Sequence, residues 1–114
     1  MDKLPSTKID RLVSILEETR NTCPNDKTIV FSQFLGMLDL AEEAIRERGF
    51  MCVRFDGRMT ARERDAVLSR FRDNDEIKVL LISLKCGSLG LNLTCANRVV
   101  LLDVWWYYFN TNND

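Results

Sequence analysis

Four short runs of apolar residues recur along the chain and alternate with segments in which apolar positions follow a helical spacing. The runs are TIVF at 28–31, MCVRF at 51–55, KVLLIS at 78–83 and RVVLL at 98–102. Nearly continuous apolar, β-branched runs of this length are typical of strands that are buried on both faces. They predict four strands of a parallel sheet.

The segments that precede the first three strand-like runs have one apolar and one charged face, as amphipathic helices do. Ser6 or Thr7 is expected to cap the first helix. The second should end just before Gly49. Thr60 should cap the third, where Glu63 completes a T-x-x-E capping box. Helices that alternate with strands predict an α/β fold in three layers, with a parallel sheet between helices.

Composition narrows the class of protein without identifying it. The 114 residues are 46% hydrophobic and 29% charged, with a net charge of -1, which suits one ordinary globular core. Any basic surface must therefore be local. There is no histidine, which excludes Ser-His-Asp and Cys-His catalysis. The four cysteines form no C-x-x-C pair and are expected to be free thiols, and neither a secretory signal nor a membrane span is predicted.

Polar and glycine residues follow each predicted strand, where open α/β sheets bind their ligands. The segments are Ser32-Gln33, 56–60, 83–87 and 103–106. They bring hydroxyls, an amide, glycines, Arg58, Lys85 and two tryptophans to one edge of the sheet. Hydroxyls and cations suit a phosphate backbone, and tryptophan can stack on a base or press into a groove.

Each of these residues also has a purely structural interpretation. Thr60 could serve only as a helix cap, and Gly57 only as part of a turn. Trp105 and Trp106 could belong to a core or an interface, and Asp103 could cap the next element. Their coincidence at one edge, rather than any single residue, favours a binding site.

The sequence contains no G-x-x-x-x-G-K-[ST] phosphate loop and no acidic pair placed to hold magnesium. If a nucleotide is bound, most of its contacts must therefore come from another domain.

Four segments together resemble the second RecA-like lobe of Swi/Snf-type DNA translocases, within superfamily-two helicases. They are STKIDRLVSIL, KTIVFSQFLGMLDLAEEAI (similar to motif IV), FDGRMTARERDAVLSRF, and VLLISLKCGSLGLNLTCANRVVLLDVWW (similar to motif V and the next strand). The form of the last segment is most similar to the branch with RING-finger insertions, the repair and SUMO-linked translocases of fungi. The resemblance implies a RecA-like, P-loop-NTPase-like domain.

The resemblance also implies roles for individual residues. Residues expected to meet the DNA are Ser32, Gln33, Arg58, Thr60, Ser83, Lys85 and Trp106. Gly87, Gly90 and Asn92 are expected to shape the motif V loop, which faces the ATP cleft between two lobes. No catalytic or metal-binding residue is assigned to this chain.

The resemblance weakens after Trp106. Related lobes continue with Asn-Pro and a motif VI helix with two arginines, whereas this chain reads YYFNTNND. We therefore expect an incomplete lobe at 6–106 and an atypical, disordered tail at 107–114, as a misread exon boundary would produce. An arginine that stabilises the transferring phosphoryl group can raise the rate of hydrolysis by ~10³–10⁵. Without such an arginine, we expect no ATPase activity from this chain alone.

The function implied by the resemblance is that of the second lobe of an ATP-dependent double-stranded DNA translocase, in chromatin remodelling or DNA repair. The implied partners are duplex DNA or chromatin and a first RecA-like lobe, with ATP and magnesium bound in the intact two-lobe enzyme, in the nucleus. The alternatives are a non-enzymatic fragment or nucleic-acid-binding module, and a lobe of an RNA helicase.

Overall fold

A computed structural model of the chain describes residues 5–83, 96–103 and 107–110. Helices and strands alternate through most of this part, which confirms the predicted α/β class. The elements are α1 (Pro5–Thr22), β1 (Thr28–Ser32), α2 (Leu35–Glu47), β2 (Met51–Phe55), α3 (Ala61–Asp73), β3 (Ile77–Ser83), β4 (Arg98–Leu101) and β5 (Tyr107–Asn110). Residues 84–95 of the predicted crossover between β3 and β4 lie outside the described residues.

The five strands form one sheet in the order β2-β3-β1-β4-β5. The first four are parallel, as predicted, and β1 lies between β3 and β4. Ser32 is aligned with Ser83, and Phe31 with Leu101. Because the parallel strands end in register, their carboxyl ends lie along one edge of the sheet.

Two apolar clusters cover the two faces of the sheet. On one face α1 and α2 pack with Leu12, Leu38 and Ile45, which are fully buried. On the other face α3 packs with Val67 and Phe71. Neighbouring strand residues alternate between the clusters, as the two-residue repeat of a strand requires. Both faces are therefore buried, which explains why the strands read as continuous apolar runs.

The helix ends follow the sequence signals closely, with one exception. Thr60 and Glu63 form the predicted capping box at the start of α3. Gly49, just beyond α2, has φ 84°, a conformation that L side chains rarely adopt. The exception is α1, which begins at Pro5 rather than after a Ser6 or Thr7 cap. Proline suits the first position of a helix because its missing N–H would have no intrahelical partner.

The expectation of a disordered tail is corrected for residues 107–110. These four residues form β5, which pairs antiparallel with β4, from Arg98 opposite Asn110 to Leu101 opposite Tyr107. Two tyrosines and a phenylalanine favour strand structure, and pairing satisfies the backbone groups of β4 that would otherwise form an open edge. The last residues of the tail, 111–114, lie outside the described residues.

A buried lysine at the start of β1 connects this strand to α3 and β3. Lys27 is 6% exposed, and its Nζ donates to the carbonyl oxygens of Phe71 (2.6 Å), Asn74 (2.8 Å) and Ile77 (2.7 Å). Lysine carries three N–H donors, and all three are directed at backbone acceptors here. The charge thereby supports the carboxyl end of α3, where the helix dipole favours a cation.

Replacing this lysine should destabilise the fold. In Lys27→Met the three carbonyl groups lose a charged donor, so the free energy of unfolding should fall by about 2–4 kcal/mol in urea denaturation. Lys78→Met, at a partly exposed position on β3, is the matched control and should change it by less than about 1 kcal/mol. Equal losses in the two variants would contradict the assigned role of Lys27.

Candidate nucleic-acid interface

Five of the seven predicted DNA-binding residues are described by the structure, and all five lie at the carboxyl ends of the parallel strands. We call this edge the carboxyl rim, formed by residues 32–34, 56–60, 83 and 102–103. Of the predicted residues, Ser32, Gln33, Arg58, Thr60 and Ser83 lie on it. The remaining predicted residues, Lys85, Gly87, Gly90, Asn92 and Trp106, lie outside the described residues.

Asp103 joins the ends of β1 and β4 at the centre of the carboxyl rim. Its carboxylate accepts a hydrogen bond from Ser32 Oγ at 2.5 Å and from the Gln33 N–H at 2.8 Å. Its main-chain carbonyl accepts from Lys8 Nζ of α1. Asp103 therefore fixes the backbone that leads from β1 into α2, in addition to any capping role.

Ser32 and Ser83 lie beneath the surface of the rim. Ser32 is 0% exposed and its hydroxyl donates to Asp103, while Ser83 beside it is 2% exposed. Gln33 and Phe34 are exposed, and half of the Phe34 surface is open to solvent. Gln33 and Phe34 are thus the parts of this loop that a ligand on the rim would meet first, and a DNA role for the two serines stays a prediction.

The second part of the rim is a chain of ion pairs around Asp56. The Asp56 carboxylate, with only 4% of its side chain exposed, accepts from Arg54 Nε at 3.1 Å and Arg58 Nη2 at 3.0 Å. It also accepts from the Arg58 N–H at 3.0 Å. Arg54 extends the chain to α2, with Nη1 at 2.5 Å from Asp39 and 3.2 Å from Glu42.

The charges in this network stabilise one another's ionised forms. The hydrogen bond from the Arg58 side chain lowers the pKa of Asp56, against the opposing effect of burial. The same hydrogen bond raises the pKa of Arg58. Burial by itself would lower the pKa of Arg54, but its hydrogen bonds with Asp39 and Glu42 raise it. Arg58 nevertheless keeps 61% of its side chain exposed and can meet an anion on the rim.

Thr60 forms a capping box and is also exposed on the rim. Its Oγ accepts from the Glu63 N–H at 3.1 Å, and its own N–H donates to the Glu63 carboxylate at 2.8 Å. An accepting hydroxyl still carries its own proton, so capping α3 and donating to a phosphate are compatible.

Sequence reasoning missed two features of the site. The sequence analysis predicts no individual role for Arg54, within the strand-like run at 51–55, or for Asp56, within the segment 56–60 that follows it. The available signal was the spacing Arg54, Asp56, Arg58, which brackets a carboxylate with two cations just after a buried strand.

The described residues hold no group of three or more His, Cys, Asp or Glu that could bind a metal ion. Cys23 and Cys52 are free, as predicted, and burial raises the pKa of the Cys52 thiol. Cys86 and Cys95 fall outside the part of the chain that the structure describes. None of the described helices is both long and apolar enough to cross a membrane.

The sequence profile of the helicase conserved C-terminal domain family matches residues 7–113 of this chain. The chain belongs to this family. Among its relatives, the DNA repair protein RAD5 of Cryptococcus neoformans is 46% identical over 107 residues. That match covers 93% of this chain and 9% of the relative's length, so the chain corresponds to a small part of such proteins.

Solved SWI2/SNF2 ATPase structures share the fold of this helicase C-terminal domain. The C-terminal domain of the Sulfolobus solfataricus SWI2/SNF2 ATPase matches with TM-score 0.76 and 34% identity, over 88% of this chain and 43% of that one. The ATPase core of Sulfolobus solfataricus SWI2/SNF2 in complex with dsDNA matches with TM-score 0.74 and 33% identity, over 88% and 21%. The predicted Swi/Snf-type resemblance and RecA-like fold are confirmed.

The Asp56 network should make the stability of this helicase C-terminal domain sensitive to acid. A folded pKa below the ordinary 3.8 means that the carboxylate stabilises the fold above that pH and loses this effect as the pH falls toward the folded pKa. Asp56→Asn should lower the free energy of unfolding by about 1–3 kcal/mol at pH 7. In urea denaturation, the difference from wild type should shrink between about pH 5 and pH 3. A difference that stays constant over this range would contradict the assigned pKa direction.

Proposed function

We propose that this helicase C-terminal domain is the second RecA-like lobe of an ATP-dependent double-stranded DNA translocase, and that its carboxyl rim contacts the DNA backbone. The observation that carries the proposal is the gathering of exposed Arg58, Gln33 and Thr60 on one edge of a domain whose fold matches a dsDNA-bound SWI2/SNF2 core. Charged and amide donors at a strand end can bind phosphate oxygens, which positions a protein on a duplex without reading its sequence.

The intact enzyme would bind ATP and magnesium between this lobe and a first lobe. The chain has no phosphate-loop motif and its sequence has no acidic pair placed to hold magnesium, so the first lobe would hold most of the nucleotide. Gly87, Gly90 and Asn92 would contribute the motif V side of the cleft. This division of roles supports the expectation that the chain alone does not hydrolyse ATP.

The proposed setting is DNA repair or chromatin remodelling in the nucleus. Relatives named for DNA repair support it, as does the structure solved with duplex DNA. The same names do not favour an RNA helicase lobe or an unrelated binding module.

The DNA contact can be measured by the fluorescence anisotropy of a labelled duplex titrated with the chain at several salt concentrations. Arg58→Ala should weaken binding about fivefold, the effect of losing one charge contact near the surface. The slope of log K against log salt should become shallower by about 0.9, since one phosphate contact is lost.

Arg72→Ala is the matched control for this measurement. Arg72 is 59% exposed and pairs with Asp73, much as Arg58 is 61% exposed and pairs with Asp56, but it lies at the far end of α3. Its replacement should leave the affinity and the salt slope unchanged. Equal losses of affinity in the two variants would show that DNA is attracted by charge in general rather than bound at the rim. An absence of duplex binding would also contradict the proposed interface.

A further inference from the structure

The carboxyl rim contains a cation that is already held in place before any ligand arrives. Most exposed arginines keep their rotamer freedom, and ordering such a side chain on binding costs free energy. Arg58 differs because its Nη2 and its main-chain N–H both donate to the Asp56 carboxylate at 3.0 Å, with Nε at 3.4 Å. The carboxylate therefore fixes both the backbone and the guanidinium of one residue.

Asp56 is suited to this task because it is buried and its main chain is hydrogen-bonded within the turn. Its side chain is 4% exposed, and its N–H lies 3.4 Å from the Met59 sulfur. Its carbonyl oxygen accepts from the Met59 N–H at 3.2 Å and from Arg64 Nε at 3.4 Å. The turn between β2 and α3 is thus closed around this residue.

Arg54 is the second cation that pairs with Asp56. Its side chain is 13% exposed, and its guanidinium lies between Asp56 on one side and Asp39 and Glu42 on the other. Arg46 also pairs with Glu42, so three arginines balance three carboxylates in this network. The exposed guanidinium of Arg58 can then attract an anion although it remains bound to Asp56.

We infer that Asp56 is a positioning residue for DNA binding, which holds the Arg58 guanidinium at the carboxyl rim in the orientation that meets a backbone phosphate. The inference rests on the proposed function and goes further by assigning a buried carboxylate that touches no DNA itself. It has an unusual consequence: removing a negative charge beside the DNA should weaken binding, whereas simple electrostatics predicts tighter binding.

A double-mutant cycle tests this sign. Duplex affinity is measured for wild type, Asp56→Asn, Arg58→Ala and the double variant. The temperature is kept well below the thermal unfolding midpoint of each protein. Asp56→Asn should weaken binding about threefold to fivefold, and the double variant should bind no more weakly than Arg58→Ala alone. The parallel cycle on Asp73 and Arg72 should show no effect on DNA affinity.

The outcomes separate this inference from the proposed function. Tighter binding by Asp56→Asn, with weaker binding by Arg58→Ala, would overturn the positioning role and leave the DNA interface standing. An unchanged affinity in Arg58→Ala would overturn the Arg58 contact and the inference together.

A second measurement does not depend on any variant remaining folded. In the wild-type chain without DNA, nuclear magnetic resonance relaxation of the arginine Nε–H groups should show Arg58 to be more rigid than Arg72, because the Asp56 side chain is 4% exposed whereas that of Asp73 is 68% exposed. Equal mobility of the two side chains would overturn the positioning role.

Discussion

Strand β1 hydrogen-bonds in parallel to β3 on one side and to β4 on the other, and helices cover both faces of the sheet it forms. Once the helices exclude water, the backbone groups of β1 must be satisfied by these neighbours. This double pairing fixes the register of three strands at once. Ser32, Ser83 and Asp103 lie side by side as a result, although up to 71 positions separate them in the chain.

Buried charged residues have different roles at the amino ends and at the carboxyl ends of the strands. At the amino ends of the strands, Lys27 directs its three Nζ donors to main-chain carbonyls, so its charge serves the fold. At the carboxyl rim, Asp56 and Asp103 accept hydrogen bonds from groups beside the exposed surface. Their carboxylates hold the exposed Gln33 and Arg58 in place, so a net charge near zero is compatible with a locally built interface for phosphate.

The sequence patterns predicted the elements well because each depends on local chemistry. The apolar runs located four strands. Thr60 and Glu63 predicted the start of α3 because the residues of a capping box are only three positions apart in the chain. Strand order could not be predicted, since it depends on which apolar faces pack together. The partners of Lys27 and Asp103 were missed for the same reason, since these contacts join distant segments. The strand β5 was missed because its pairing depends on the exposed edge of β4.

The central claim is that the carboxyl rim of this helicase C-terminal domain contacts duplex DNA. The most direct test is a titration of the isotopically labelled chain with a short duplex, followed by the chemical shifts of its amide groups. The account predicts that the largest shifts occur at Gln33, Arg58 and Thr60. Shifts concentrated at the opposite edge, around Lys27 and Arg98, or no shifts at all, would contradict it.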